Sequence, residues 1–117
     1  MESSFELSDK VVGIIFKSKI EKEDINKLHD ILRERIEKYG EVSLFLEDQF
    51  GDSMSLKALF SDLAFEFTNS TQIKKIAIVS DEKWLEIVFG FKDIITGTDV
   101  EWFDKQNRME AMNWVME

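Results

Sequence analysis

The sequence predicts an α/β fold, with a mostly parallel five-stranded sheet and helices packed on it. Short apolar runs alternate along the chain with longer segments in which apolar residues recur every three or four positions. This alternation is typical of β–α units, in which each strand is followed by a helix that crosses back over the sheet. The clearest unit is 74–91, where the apolar strand 76–79 leads through Asp81 into an unusually apolar helix.

The predicted elements are an N-terminal edge strand and four β–α units. Segment 10–16 is apolar on both faces, as expected for an interior strand. Helix 21–39 carries one apolar stripe, with acidic residues in its first turn and basic residues toward its end, and Gly40 ends it. Asp104 is the predicted cap of the last helix. The predicted strands are 5–7, 10–16, 42–46, 76–79 and 98–103, and the predicted helices are 21–39, 55–69, 82–94 and 105–116.

Size and composition exclude several classes of protein. A chain of 117 residues suits a single domain, 1–117. No apolar run approaches the ~20 residues that span a bilayer, and no secretory signal is recognisable at the N-terminus. The lack of cysteine excludes disulfides and thiolate chemistry and fits a cytoplasmic location. A net charge of −9 argues against a nucleic-acid partner, since phosphate contacts need clustered Lys and Arg.

Six short motifs follow one another over nearly the whole chain. The longest is IAIVSDEKW at 76–84. The others are Ile20 with Glu23 and Asp24, Phe50-Gly51, Asp62-Leu63 with Phe65, Trp102-Phe103, and Glu110-Ala111 with Trp114. In their order along the chain, these six motifs resemble the SpoIIAA-like family of small bacterial proteins. That family is related in fold to STAS domains and to lipid-carrying CRAL-TRIO domains. The resemblance implies the fold and an association with a hydrophobic ligand or a membrane.

The helix after strand 76–79 carries more apolar surface than one side of a sheet requires. Its polar positions form one narrow stripe, whereas a helix covering a sheet needs an apolar stripe of only ~100°. One interpretation is the wall of an apolar pocket or a patch of peripheral membrane contact formed by 82–95. The alternative is a helix buried between the sheet and its neighbours. The candidate ligand-binding residues are Phe50, Phe65, Trp84, Val88, Phe89 and Phe91.

Acidic residues cluster in the predicted loops after two core strands. Asp48 and Asp52 fall in the loop 47–53, and Asp81 follows strand 76–79. Ligands commonly bind at the carboxyl ends of parallel strands, and convergent oxygens suit Mg²⁺ or Ca²⁺. These three residues are therefore candidates for a divalent-metal site. The alternative is that Asp81 caps a helix and the others are solvated.

Asp52 and Ser53 form a pair at the predicted junction of loop and helix. In anti-anti-sigma proteins of the STAS group, an Asp-Ser pair at this junction carries a regulatory phosphoserine. The resemblance thus makes Ser53 a candidate phosphorylation site in a protein-interaction module, since a helix N-terminus favours phosphate. Met54 stands where that motif has a small residue, and a plain helix-capping serine is the alternative.

No pattern in the chain indicates catalysis or a cofactor. His29 is the single histidine and is expected to pack at a helix edge, and no Gly-rich phosphate loop is present. The leading hypothesis is a non-enzymatic cytoplasmic domain that binds a small apolar ligand or touches a membrane reversibly. The alternative is a STAS-type module with a protein partner, switched at Ser53. The sequence leaves the oligomeric state open, and a dimer is compatible with it.

Overall fold

The computed structural model describes residues 3–50, 53–67, 72–81, 90 and 97–117 of the chain. In these ranges a sheet is flanked by helices on both faces. The strands are β1 (Ser3–Ser8), β2 (Val11–Phe16), β3 (Val42–Asp48), β4 (Ile73–Ser80) and β5 (Asp99–Asp104). The helices are α1 (Lys22–Tyr39), α2 (Ser53–Phe67) and α3 (Arg108–Met116), and a 3₁₀ turn at Lys105–Asn107 precedes α3.

The sheet has the strand order β1-β2-β3-β4-β5. The four strands β2 to β5 run parallel, which confirms the predicted parallel α/β fold. The edge strand β1 pairs antiparallel with β2 across a tight hairpin. Because these four strands are parallel, the carboxyl ends of β2 to β5 lie at one edge of the sheet. We call it the carboxyl edge.

Helices α1 and α2 pack on the same face of the sheet. This is what right-handed crossovers require when successive strands are added in one direction. Leu28 and Leu32 of α1 and Leu59 and Leu63 of α2 are almost completely buried in this core. The strand residues that meet them are mainly Val12, Ile14, Phe16, Leu44, Leu46, Ile76 and Ile78.

The opposite face of the sheet is covered by α3. Ala111 and Val115 of α3 pack with Phe45, Ala77 and Val79 of the strands. Helix α3 is also held near its end, where Lys75 Nζ donates to the Trp114 carbonyl oxygen at 3.1 Å. The same ammonium group lies 4.9 Å from the centroid of the Trp114 ring. A cation at this position is favourable because the last carbonyl groups of a helix lack intrahelical donors.

The ends of α1 follow from local chemistry. The Asp24 carboxylate accepts a hydrogen bond from the Glu21 backbone N–H at 2.8 Å, which closes the first turn. Gly40 adopts the left-handed conformation with φ 82°, and its N–H donates to the Ile36 carbonyl oxygen at 2.7 Å. The predicted stop at Gly40 is confirmed, because a residue without Cβ takes this conformation at little cost.

Several predicted boundaries need correction. The loop predicted at 47–53 was wrong at its start, because Glu47 and Asp48 belong to β3 and pair with β2. Strand β4 is longer than 76–79, beginning at Ile73 and ending at Ser80. The predicted last helix begins as a 3₁₀ turn, and Asp104 caps it by accepting from the Gln106 N–H at 3.2 Å. In the described ranges no helix has the length and hydropathy to cross a membrane.

Candidate functional site

The carboxyl edge holds buried polar side chains. Glu47 and Asp48 at the end of β3 are each only 4% exposed, and Ser80 at the end of β4 is fully buried. Burying such groups costs free energy unless each finds a polar partner. The contacts of these three side chains therefore define how this edge is built.

Glu47 links β3 to the start of α3. Arg108 Nη2 lies 2.9 Å from Glu47 Oε1, as an ion pair that is close but not aligned as a hydrogen bond. The other carboxylate oxygen, Oε2, accepts a hydrogen bond from Gln49 Nε2 at 2.6 Å. The Arg108 side chain is 42% exposed, so one partner of the pair is reached by solvent and the other is not.

Asp48 organises the chain that leaves β3. Its Oδ1 accepts a hydrogen bond from the Phe50 backbone N–H at 3.1 Å, which is an Asx turn. The Gln49 N–H donates to the Phe16 carbonyl oxygen at 2.8 Å, so the turn is also tied to the end of β2. The result is a fixed turn that presents the Phe50 side chain, 51% exposed, directly before α2.

Ser80 joins the ends of β4 and β5. Its hydroxyl accepts a hydrogen bond from Trp102 Nε1 at 2.9 Å and donates to the Asp81 carbonyl oxygen at 3.2 Å. Asp81 itself is exposed and forms an ion pair with Lys105, at 3.3 Å. Lys105 and Arg108 therefore tie the segment after β5 to the ends of β4 and β3.

A depression lies at the opposite edge, where the parallel strands begin. Its volume is about 350 Å³, and Lys10, Lys75, Glu41 and Ser43 are among the residues lining it. Lys10 and Glu41 face one another at 3.5 Å. With charges of both signs paired in this way, the depression does not select an anionic or a cationic ligand.

The predicted metal residues are only partly described. Asp48 is engaged with the Phe50 N–H and Asp81 with Lys105, whereas Asp52 lies outside the described residues. Among the residues that the structure describes, no three His, Cys, Asp or Glu side chains converge as metal ligands would. The metal site stays a prediction.

Most of the predicted hydrophobic site also lies outside the described ranges. This applies to Trp84, Val88, Phe89 and Phe91, and to the predicted helix 82–95 except for Gly90. The two described candidates are Phe50 and Phe65, which are 51% and 85% exposed. They stand at opposite ends of α2, with about 18 Å of helix between Ser53 and Phe65. The structure does not bring them together, and the apolar-ligand and membrane hypothesis stays a prediction.

Ser53 is the first residue of α2. Helix α2 thus begins two residues before the predicted position, and the capping position falls on Asp52, outside the described residues. Because α2 follows β3 directly, Ser53 lies at the carboxyl edge near the turn made by Asp48 and Phe50. Phosphorylation of Ser53 stays a prediction.

His29 is buried against the seam between α1 and α2. Its side chain is 7% exposed, and burial lowers its pKa below the ordinary value of 6.5. Arg33 also lowers the pKa, while the nearby carboxylates Glu66, Asp62 and Asp30 oppose the shift. The predicted packing at a helix edge is confirmed, and the lowered pKa favours a neutral imidazole.

Sequence reasoning missed the half-buried ion pair Glu47–Arg108 and the Ser80–Trp102 hydrogen bond. One signal was available for the first of these. Glu47 directly continues an apolar strand, and a charge there needs a partner if the strand goes on. Nothing local in the sequence indicates that the partner is Arg108.

Fold and site together define a small α/β domain with a mostly parallel sheet and a cluster of buried polar side chains at its carboxyl edge. The sequence model of the SpoIIAA-like family matches residues 11–116, and the chain belongs to this family. Comparison with curated proteins and with solved structures gives no match.

Proposed function

We propose that this chain is a non-enzymatic protein-interaction module of the STAS type, which docks a partner protein at the carboxyl edge. The observation that carries the proposal is membership of the SpoIIAA-like family over residues 11–116. The position of Ser53 at the start of α2, directly after the β3 turn, supports the same edge as the docking site.

The chemistry of the edge suits docking of a protein. Phe50 offers an exposed aromatic ring on a turn that is fixed by two hydrogen bonds, one accepted by the Asp48 carboxylate and one by the Phe16 carbonyl oxygen. A preorganised aromatic side chain loses little conformational entropy on binding, and aromatic residues are enriched at interface centres. Lys105 and Asp81 form an exposed ion pair beside it along the edge, which suits a polar rim.

Ser53 is the proposed regulatory residue. A phosphoryl group adds nearly two negative charges, and at the first turn of α2 it would meet the positive end of the helix dipole. The group would also add charge to an edge that already carries Glu47, Asp48 and Asp81. We therefore expect phosphorylation to leave the fold intact and to weaken docking of an acidic or apolar partner surface.

The test uses variants Ser53→Asp and Ser53→Ala, with Ser55→Asp, two residues further along α2, as the matched control. Each tagged protein is used to recover partners from cells, and each recovered partner is then titrated in purified form. The proposal expects Ser53→Asp to weaken affinity by about tenfold or more, with Ser53→Ala and Ser55→Asp close to the unaltered chain. Equal binding by Ser53→Asp and Ser53→Ala would refute the switch.

A further inference from the structure

The most exposed large apolar side chain of the described residues lies on α2, far from the carboxyl edge. Phe65 is 85% exposed, whereas Leu63, two positions earlier, is 1% exposed. The two residues therefore lie on opposite sides of the helix. An aromatic ring held in water on a regular helix contributes nothing to the core and is available for contact with a partner.

Among the described side chains, the outer face of α2 around Phe65 is otherwise small or acidic. Ala58 lies seven residues before Phe65, nearly in line with it along the helix, and both are exposed. Ser61 and Asp62 flank that line and are also exposed. Lys57 carries the nearest positive charge on this face of α2, at about 12 Å along the axis from Phe65. The Phe65 ring thus projects from a surface of small or acidic side chains.

Carboxylates from two helices surround this projection. Glu66 follows Phe65 and forms a short ion pair with Arg33 of α1, which also lies 3.8 Å from Asp30. Asp62 lies one turn before Phe65. Together with Glu66 and Asp30, it opposes the lowering of the pKa of the buried His29. Three carboxylates and one guanidinium leave this surface with an excess of negative charge.

We propose that this surface is a docking site for a cationic amphipathic helix of a partner protein. We call it the Phe65 patch and define it as Asp30, Arg33, Ala58, Asp62, Phe65 and Glu66. The phenyl ring would insert between apolar side chains of the incoming helix, while its Lys or Arg residues approach Asp62 and Asp30. Such a site is separate from the carboxyl edge and does not depend on Ser53.

Charge selects this occupant over a second copy of the chain. Two copies would bring the same excess of carboxylates together, in a protein whose net charge is −9. Like charges placed opposite one another at an interface cost free energy, whereas complementary charges speed association and exclude wrong partners. An amphipathic helix with Lys or Arg beside its apolar stripe can contact the Phe65 ring with its apolar side chains and pair its cations with the carboxylates.

The experiment titrates the ¹⁵N-labelled protein with two synthetic peptides and follows backbone amide shifts. One peptide, of about 18 residues so that it can form a helix, carries Leu and Lys at helical spacing. The other has Glu in place of Lys. We expect the Lys peptide to shift amides around Asp30, Asp62 and Phe65, and the Glu peptide to shift none. Raising the salt concentration should weaken the binding.

Variants assign the binding to the patch. Phe65→Ser should weaken the Lys peptide by about tenfold or more, as expected for an aromatic anchor. Asp62→Asn should weaken it by about two- to fivefold. Met109→Ala is the matched control, since Met109 is 65% exposed and lies on α3, on the other face of the sheet. Unchanged melting temperatures in all three would show that the fold is retained.

Three results would overturn the proposal. They are shifts that gather at the carboxyl edge, binding that survives Phe65→Ser, and a dimer in light scattering that Phe65→Ser abolishes. The outcome is distinguishable from that of the Ser53 test, because Ser53→Asp should leave binding of the Lys peptide unchanged. Loss of peptide binding in Ser53→Asp would mean that the peptide occupies the carboxyl edge.

Discussion

The pair of Arg108 with Glu47 offers the sharpest test of how the carboxyl edge is held. Replacing Arg108 by Met keeps most of the aliphatic stem and removes the guanidinium. Glu47, 4% exposed, then keeps the hydrogen bond from Gln49 but loses the Arg108 guanidinium as its cationic partner. A buried carboxylate without its cation destabilises the native state.

The expected loss follows from the geometry. Charge centres about 4 Å apart attract by about 4 kcal/mol at an effective dielectric constant of about 20. The Arg108 side chain is 42% exposed, so solvent screens part of this attraction. We therefore expect Arg108→Met to lower the free energy of unfolding by about 2 kcal/mol. This is less than the roughly 3–5 kcal/mol lost when one partner of a fully buried ion pair is removed.

Urea unfolding followed by circular dichroism measures this loss, and Lys105→Met is the control. Lys105 and Asp81 are 41% and 48% exposed in their side chains, so breaking that pair should cost less than about 1 kcal/mol. Lys105 and Arg108 are three residues apart in the segment that joins β5 to α3, so the two variants are matched in their position in the fold. Equal losses in Arg108→Met and Lys105→Met, at an unchanged denaturant slope, would refute the argument from burial.

Three further predictions concern stability. Gly40→Ala should cost about 1 kcal/mol in urea unfolding, because Gly40 has φ 82° and a Cβ is strained there. Leu63→Ala should cost about 2–5 kcal/mol while Phe65→Ala changes stability by less than about 0.5 kcal/mol, since Leu63 is 1% and Phe65 85% exposed. The lowered pKa of His29 means that the unfolded chain binds more protons below about pH 6.5, so stability falls as the pH drops through that value. His29→Gln should flatten the decline in melting temperature between about pH 7 and pH 5.5, and an unchanged slope would contradict the assignment.

The elements inside the fold were predictable because their signals are local. Apolar runs such as 76–79 and the apolar stripe of α1 indicate directly that these residues are buried, and Gly40 indicates the end of a helix. Phe65 is a similar case. It lies off the helical spacing that Leu59 and Leu63 share, and it is exposed as that spacing predicts.

The candidate site was less predictable because its contacts join distant parts of the chain. Glu47 and Asp48 look like the start of a loop, since charged residues rarely continue a buried strand. Pairing with β2 and the approach of Arg108 make the extension possible, and neither is visible from neighbouring residues. The same holds for Ser80, whose indole partner Trp102 comes from the next strand.

The position of α3 in the chain has a consequence for biosynthesis. In the described residues, α3 supplies the cover for Phe45, Ala77 and Val79, yet it follows every strand in sequence. While the ribosome is still making 108–116, that face of the sheet is open to water and to other nascent chains. A stop codon just before Arg108 would leave a parallel sheet with one apolar face uncovered, a species prone to aggregation and attractive to chaperones.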